Sequence, residues 1–498
     1  MRLPHRLALG LVLALIAFTL IGQAARKPFW FDEILTLSIA RLPISQEMWT
    51  AMNAGFEFNP PVLYLATHAA NALFGEGHIT TRLPQIVAGL FGLLVGFAVA
   101  SRHAGVDAGF WFILLLSNTP LYLYFFEARP YAFVFLGTML AWYAWQRIVE
   151  YRGSPLVNYA LLVGSLGFVL LSHLWGLVVP VAFLAASVAV SFERGTFAWK
   201  EALAVAGTFA LLVLNASLIG SNRDIVFGGP VYQPTLRQAT IGLYEVNIGA
   251  ILTFVLLITI GFGVWGRLRG GPLVSSLSLT LPFNELVLSL SLLLAPLFIF
   301  AVSKLAKTAF MPRYTLMSCV GAALIGSCIL AVATRNHRKL SKLAMVAVGS
   351  FLLYQAARTL SKGSFNAPSG GTDWSYLRAA PYSRLPIVFA HPLQFLEADF
   401  YAPRELAQRF VYVVDRGLAV EYAGTDGVDA ALIKGSKWIS LKGRTIDYRR
   451  FREAHPEFLL LHDEESALNW ISSKLRADGV RMSVIADPTK RFLICNFP

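Results

Sequence analysis

Two acids stand side by side in Phe29-Trp30-Phe31-Asp32-Glu33, a few residues beyond an apolar run long enough to cross a bilayer. A carboxylate at a membrane edge has lost part of its hydration and is costly unless paired or used, so the pair marks a candidate site. Further polar clusters stand in apolar surroundings: Glu57 with Asn59-Pro60-Pro61, Glu127 with Arg129, and Arg313-Tyr314, while Arg82 stands just before Leu83-Pro84. Carboxylates can serve as general bases. Guanidinium groups grip phosphate through paired hydrogen bonds and stay charged at any working pH. The combination suits a phosphorylated lipid as one substrate and a hydroxyl compound as the other. Each cluster alone also has a structural reading: Glu127 and Arg129 as a helix-end ion pair, Arg82 and Arg313 as cations snorkelling to headgroups.

The elements that would position these residues follow from composition. Of 498 residues 56% are hydrophobic and only 14% charged, which would leave a soluble globule with far too much apolar surface. The chain reads as a polytopic membrane protein. Its net charge of +13 is not gathered into a basic, aromatic-laced face, so nucleic acid is excluded as a partner. Residues 1–359 hold 24 Lys or Arg against 13 Asp or Glu, and the remainder 18 against 16. That excess in the membrane part fits short cytoplasmic loops under the positive-inside rule. Cys319, Cys328 and Cys495 indicate neither a disulfide framework nor a thiol metal site.

Met1 to Arg6 is basic and Leu7 to Gly22 apolar, ending in Gln23-Ala24-Ala25. A signal peptide has this form, but the run is close to a spanning length and is read as a retained first helix with its amino terminus inside. Residues 24–81 form a long outer segment, in which Leu42 to Met52 and Pro61 to Phe74 read as interfacial helices. Further spans are expected at Leu83 to Ala100, Phe110 to Phe126, Tyr131 to Trp145, Leu156 to Ser172, Leu174 to Ser191 and Ala202 to Ile219. Ile248 to Trp265, Leu286 to Val302, Tyr314 to Val332 and Leu343 to Ala357 complete a set of 11. Gly270 to Glu285 has the alternating Ser and Leu of an extra half-helix. This topology puts all the polar clusters on one outer face.

Beyond Lys362 charge is balanced and short β-rich runs appear: Leu385 to Ala390, Arg409 to Val414, Trp438 to Leu441, Phe458 to His462, Arg481 to Ala486 and Arg491 to Asn496. Asp447 to His455 and Glu464 to Arg476 are the better helix candidates, so the tail reads as a small soluble α/β domain for docking or covering. Tyr64, Tyr131 and Tyr314 are expected in the aromatic belt at the membrane interface.

Taken in order, Trp30-Phe31-Asp32-Glu33, Asn59-Pro60-Pro61-Val62-Leu63-Tyr64, Arg82-Leu83-Pro84, Glu127-Ala128-Arg129-Pro130-Tyr131 and Pro312-Arg313-Tyr314 resemble the landmarks of the GT-C membrane glycosyltransferases. The likeness is to the branch of protein O-mannosyltransferases and lipid A aminoarabinose transferases, and it covers about residues 1 to 335. It implies a GT-C-like transmembrane catalytic domain over 1–359 and an extracytoplasmic α/β domain over 360–498, in a multi-pass protein of the inner (plasma) membrane. It also implies a polyprenyl-phosphate-sugar donor, with a lipopolysaccharide or lipid A, other glycan or protein as acceptor, beside membrane lipids. In that family the first-loop Asp acts as base, which places the role on Asp32 with Glu33 beside it. The donor pocket would draw on Arg82, Arg129, Arg313, Tyr314, Glu57, Asn59, Glu127 and His173, the last in Ser172-His173-Leu174-Trp175.

Asn59 departs from the aminoarabinose transferases, which carry Lys there, and this puts that particular donor in doubt. No nucleotide or other cofactor is called for. A divalent metal is not indicated either: Glu57 with His68 or His173 lacks close ligand spacing. The alternatives are a flippase or transporter of lipid-linked or anionic substrates, whose internal repeats and midplane polar groups are not seen, and a non-catalytic scaffold.

Overall fold

In lipid only an intrahelical bond ladder satisfies every backbone group, so long runs of Leu, Val, Ala and Phe without turn residues become helices. The computed structural model describes residues 3–268, 281–335, 337–361, 377, 381–462, 466–485 and 492–498. Among the described residues eight helical runs, Leu3–Arg26 and His78–Ala104 included, are long and apolar enough to cross a membrane, and two bent pairs bring the number to 10. These ten coincide with ten of the expected spans. The eleventh falls on Tyr131–Val149, a 19-residue helix carrying Trp142, Trp145, Gln146 and Arg147. The stretch read as a half-helix lies outside the described residues up to position 280.

At the centre runs Pro312–Thr334, the most enclosed of the spans. Gly321 lets it approach Phe283–Leu293 closely, because a Cβ there would meet the Ser289 carbonyl oxygen at 2.2 Å. The pair Val106–Leu116 and Pro120–Phe126 bends by 69° where Ser117-Asn118-Thr119 leads into Pro120. That bend delivers Glu127 and Arg129 to the bundle's end.

The outer segment differs from its sequence reading in one respect that matters. Phe31–Ala40 is a helix whose residues are all buried except Asp32. It was unmarked in the sequence because a helix buried on every side, Glu33, Thr36 and Ser38 included, shows no clean amphipathic stripe. Gln46–Asn53 and Val62–Phe74 match the two short helices expected.

The tail folds around a six-stranded sheet. Its strands are β1 (Ile387–Phe389), β2 (Phe410–Val414), β3 (Arg444–Asp447), β4 (Glu457–Leu461), β5 (Arg481–Val484) and β6 (Phe492–Asn496), in the order β3-β2-β1-β4-β6-β5. Strands β3, β2, β1 and β4 are parallel; β6 pairs antiparallel with β4, and β5 with β6. Strands β1, β2 and β4 are apolar runs buried almost throughout, as parallel strands covered on both faces must be. The strand expected at Trp438 to Leu441 is not formed. Trp438 instead stacks on Phe56 of the membrane part at 5.7 Å, and the chain enters β3 six residues later. The helix expected from Glu464 begins at Trp470, where Asn469 caps the amide of Ser472. Pro392–Tyr401, Arg416–Ala423 and Gly427–Gly435 are helices that the sequence reading had left unassigned.

Contacts between tail and membrane part gather at the end of the bundle where Asp32 lies. Arg416 bridges Asp426 to Asp224, Lys434 also reaches Asp224, and Phe227 pairs with Thr425 through a β-bridge. Trp30 has no side chain able to cap the helix that starts at Phe31. Glu397 of Pro392–Tyr401 supplies the acceptor instead, at 3.2 Å from the Phe31 amide, while Tyr401 accepts from the Phe29 amide at 2.5 Å.

Burial pushes the Glu397 carboxyl up to about 7. A carboxyl raised by folding favours the docked state fully below its unfolded value near 4.5, and the favour is lost as pH climbs through 7. Hydrogen-exchange protection of the Phe29 and Phe31 amides is therefore expected to weaken from pH 6 to pH 8 by about 1.3 kcal/mol. In Glu397→Gln that dependence should vanish; equal pH dependence in both proteins would assign it to another group.

Candidate active site

Five positions far apart in sequence meet at one end of the bundle, in a deep layer around the fully enclosed Glu33 and Arg82 and a shallow layer around the part-exposed Asp32 and Arg313. In the deep layer Glu33 and Arg82 are both fully enclosed. Glu33 sits in the first turn of Phe31–Ala40, where a carboxylate also complements the helix dipole. Arg82 Nε donates to Glu33 Oε1 at 2.7 Å and Nη2 to Oε2 at 2.6 Å. Its remaining donors go to the carbonyls of Ala24 (2.7 Å), Lys27 (2.6 Å) and Pro28 (3.0 Å). All five N–H groups of this guanidinium are thus satisfied by protein. Neither snorkelling nor the phosphate contact expected of Arg82 fits this arrangement, since it has no exposed face and no donor left.

Glu33 Oε1 accepts a further hydrogen bond from the Ala128 amide at 2.7 Å. Burial would raise the Glu33 carboxyl, but the Arg82 charge, its hydrogen bonds and Lys27 outweigh it and hold the group below its ordinary value. Ala128 can donate because the chain turns tightly there, with the Arg129 amide on the Glu127 carbonyl at 2.7 Å and Pro130 leading into the next helix. Glu127 pairs with Lys27 at the same level. Enclosure pushes its carboxyl upward despite Lys27.

In the shallow layer Asp32 lies between two guanidiniums. Its Oδ2 is 3.4 Å from Arg129 Nη2 and 3.0 Å from Arg313 Nη2, at 15% side-chain exposure. Both distances are those of ion pairs, yet no aligned hydrogen bond holds Oδ2, so this carboxylate is attracted without being locked. Arg129 is anchored more firmly. Its Nη1 reaches Glu57 Oε1 (2.8 Å), Thr36 Oγ1 (3.2 Å) and the Asp32 carbonyl (3.2 Å). Desolvation opposes its charge, but Asp32 and Glu57 more than compensate and raise its pKa. Glu57 is buried and shared between Arg129 and the Asn59 side chain, and burial pushes its carboxyl up in spite of Arg129.

Arg313 is held by rings rather than by carbonyls. Its guanidinium stands over Trp30 at 5.6 Å and over Tyr314 at 5.9 Å, and its Nε has no protein acceptor. Tyr314 packs on Trp175 at 5.8 Å and on His173 at 5.4 Å, and His173 also meets Tyr131 at 5.2 Å. His173 accepts from the Trp175 amide through Nδ1. Burial, with Arg129 and Arg313 nearby, pushes it down to about 3, so it is a neutral ring at working pH. Tyr64 and Tyr131 are corrected from their sequence reading: both are buried in the protein, and Tyr64 takes the Asn59 amide at 3.4 Å. Asn59 is likewise enclosed.

The sequence reading missed Lys27, Trp30, Glu397 and Tyr401. Trp30 stands two residues before Asp32 and was quoted only as part of the motif, without a role at the site; Glu397 and Tyr401 carried no signal, lying more than 360 residues away. Among the described residues no group of three or more His, Cys, Asp or Glu is placed to hold a metal ion.

No family model matches this chain, and no curated protein does either. Solved structures match its fold. ArnT from Cupriavidus metallidurans in the apo state superposes with a TM-score of 0.58 at 13% identity, covering 97% of each chain. The same protein bound to undecaprenyl phosphate gives 0.58 at 14% identity, over 99% of this chain and 98% of that one. The chain therefore shares its fold with ArnT over nearly its whole length.

Removing one partner from a buried ion pair strands the other, at a cost of about 3–5 kcal/mol. Glu33→Gln and Arg82→Met are expected to fall in that range, and Asp32→Asn to stay within roughly 1 kcal/mol of the parent. Thermal unfolding of the three purified variants in one detergent checks the ranking; equal losses would contradict the two-layer description.

Proposed function

We propose that this chain is an integral membrane glycosyltransferase that moves a sugar, with inversion, from a polyprenyl-phosphate donor to a hydroxyl acceptor on the extracytoplasmic face of the inner membrane. The observation that carries this reading is Asp32: the one residue of its helix that is not buried, set between two guanidiniums and locked to neither. A fold shared with ArnT, and the presence of undecaprenyl phosphate in one ArnT structure, support the donor class.

In the step proposed, the acceptor oxygen attacks the anomeric carbon from the face opposite the phosphate. Its proton passes to Asp32, the anomeric C–O bond breaks, and the polyprenyl phosphate leaves with the bonding electrons. Arg313 receives the developing phosphate charge, since it is the more exposed, at 19% against 6%, of the two site arginines whose Nε has no protein acceptor. A phosphate on Arg313 also frees Asp32 from one of its two cations, which leaves the carboxylate more basic at the moment it is needed. Arg129, held by Glu57, keeps the second positive charge in place, and Asn59 steadies Glu57. Glu33 and Arg82 take the role of positioning pair, in place of the catalytic and phosphate roles first given them. His173 and Tyr314 form the aromatic wall behind Arg313.

The membrane part, 1–359, is proposed as the catalytic domain and 360–498 as an extracytoplasmic domain that braces the Asp32 helix. The acceptor class spans lipopolysaccharide or lipid A, another glycan, and protein.

A general base contributes about 10²- to 10⁴-fold, so Asp32→Asn should lose that much turnover while binding donor. Arg313→Gln should lose a comparable factor. Mass spectrometry of envelope lipids and glycans from cells with the parent chain, no chain, or Asp32→Asn tests the reading. A sugar missing from one acceptor in both deficient strains, with its polyprenyl-phosphate donor accumulating, is the expected result. Unchanged glycans with a lipid-linked intermediate held on one leaflet would overturn it in favour of a transporter.

A further inference from the structure

The helix Tyr131–Val149 starts at the acid-arginine site and runs 19 residues away from it. At 1.5 Å per residue that is about 28 Å, close to the thickness of a hydrocarbon core. At its far end lies a cavity of about 380 Å³, formed where the loop after this helix meets the loop after Val178–Arg194. Arg147, Arg152, Arg194 and Lys200 line it together with Glu201, and Arg152 also pairs with Glu150 of the adjoining turn at 2.8 Å.

Four cations in one concavity need a reason beyond loop composition, and three further details supply it. Arg194 places Nη1 on Glu201 at 2.8 Å while its Nη2 is buried with no acceptor, so a donor is aimed where an anion is absent from the protein itself. Arg147 is held ready by Asn158, whose Oδ1 takes Nε at 2.9 Å and whose Nδ2 ties down the Arg152 carbonyl at 2.6 Å. The loop between is wound to fit: Gly153 has φ +69 and a Cβ there would strike Arg147 Nη2 at 2.3 Å, while Tyr151 accepts φ 54 and lays its ring 4.9 Å from the Arg194 guanidinium. The rim is aromatic, with the lining residues Phe197 and Trp199 both exposed.

We propose that this cavity binds the phosphate headgroup of an anionic phospholipid in the leaflet opposite the acid-arginine site. The cations and the idle Arg194 donor take the phosphate, and the aromatic rim takes the glycerol and upper acyl region. Basic recesses between spans are suited to such headgroups. The rim selects a lipid over free phosphate, which would leave those rings unengaged.

The test uses the full chain in nanodiscs of phosphatidylethanolamine with and without phosphatidylglycerol, with native mass spectrometry counting retained lipids. The parent chain is expected to retain phosphatidylglycerol over phosphatidylethanolamine by at least roughly tenfold, about 1.4 kcal/mol. In Arg194→Gln/Lys200→Gln that preference should fall to near unity. Arg338→Gln/Lys339→Gln, two basic residues elsewhere on the chain, should keep it, as should the charge-conserving Arg194→Lys. Equal retention in the two double variants overturns the proposal. So does displacement of phosphatidylglycerol by millimolar inorganic phosphate, which would make the site one for the free anion. Should the Arg194→Gln/Lys200→Gln protein not fold, the parent chain decides alone: absence of a phosphatidylglycerol preference overturns the proposal.

Discussion

A guanidinium cut off from water must find an acceptor for each of its donors, and the structure at the head of this bundle is built around Arg82 doing so. Its acceptors come from the end of the first span, the connector through Lys27 and Pro28, and Glu33 on the following helix. Glu33 in turn takes the Ala128 amide, so the Glu127-Arg129 turn is set by the same pair. Four segments are therefore fixed relative to one another before Asp32 is considered. Its location between Arg129 and Arg313 follows from its being next to Glu33 on one helix turn and pointing the other way. An isolated ion pair at this depth would be a poor source of stability; with every donor satisfied, it serves as a geometric reference.

The neighbouring acids illustrate how enclosure assigns different work to identical chemistry. Glu33 is saturated and held charged, Glu57 is shared by an arginine and an amide, and Asp32 is left at the boundary with competing cations. The same gradient sorts the arginines. Arg82 is closed, Arg129 is anchored on one side, and Arg313 is supported by flat aromatic surfaces that exclude water without occupying its hydrogen bonds. The result is a fixed positive field with a guanidinium donor, Arg313 Nε, not committed to a protein acceptor.

Much of this was legible in the amino-acid sequence, for identifiable reasons. Spans are set by hydropathy alone, and clusters such as Asp32-Glu33, Glu57, Glu127-Arg129 and Arg313 stand out because charge in an apolar chain is rare. Their convergence followed from topology. What did not follow was the partition between them, because Arg82 and Arg313 look alike until burial is known. The Phe31–Ala40 helix was hidden by being buried all round, which removes the periodic signal. In the tail, Trp438 to Leu441 has the composition of a strand, yet Trp438 is drawn onto Phe56 and the strand forms downstream at Arg444–Asp447. Propensity lost there to a tertiary contact.

The cap on the Asp32 helix has a bearing on biosynthesis. Glu397 lies 366 residues beyond the amide it accepts from, and its own helix packs on a sheet whose fourth strand begins only at Glu457. Membrane insertion of the early spans can proceed while the ribosome is still at work, but the turn bearing Asp32 has no cap until the distal sheet has closed. An unfinished chain would thus sit in the bilayer with the first turn of the Asp32 helix uncapped until synthesis of the distal sheet is complete.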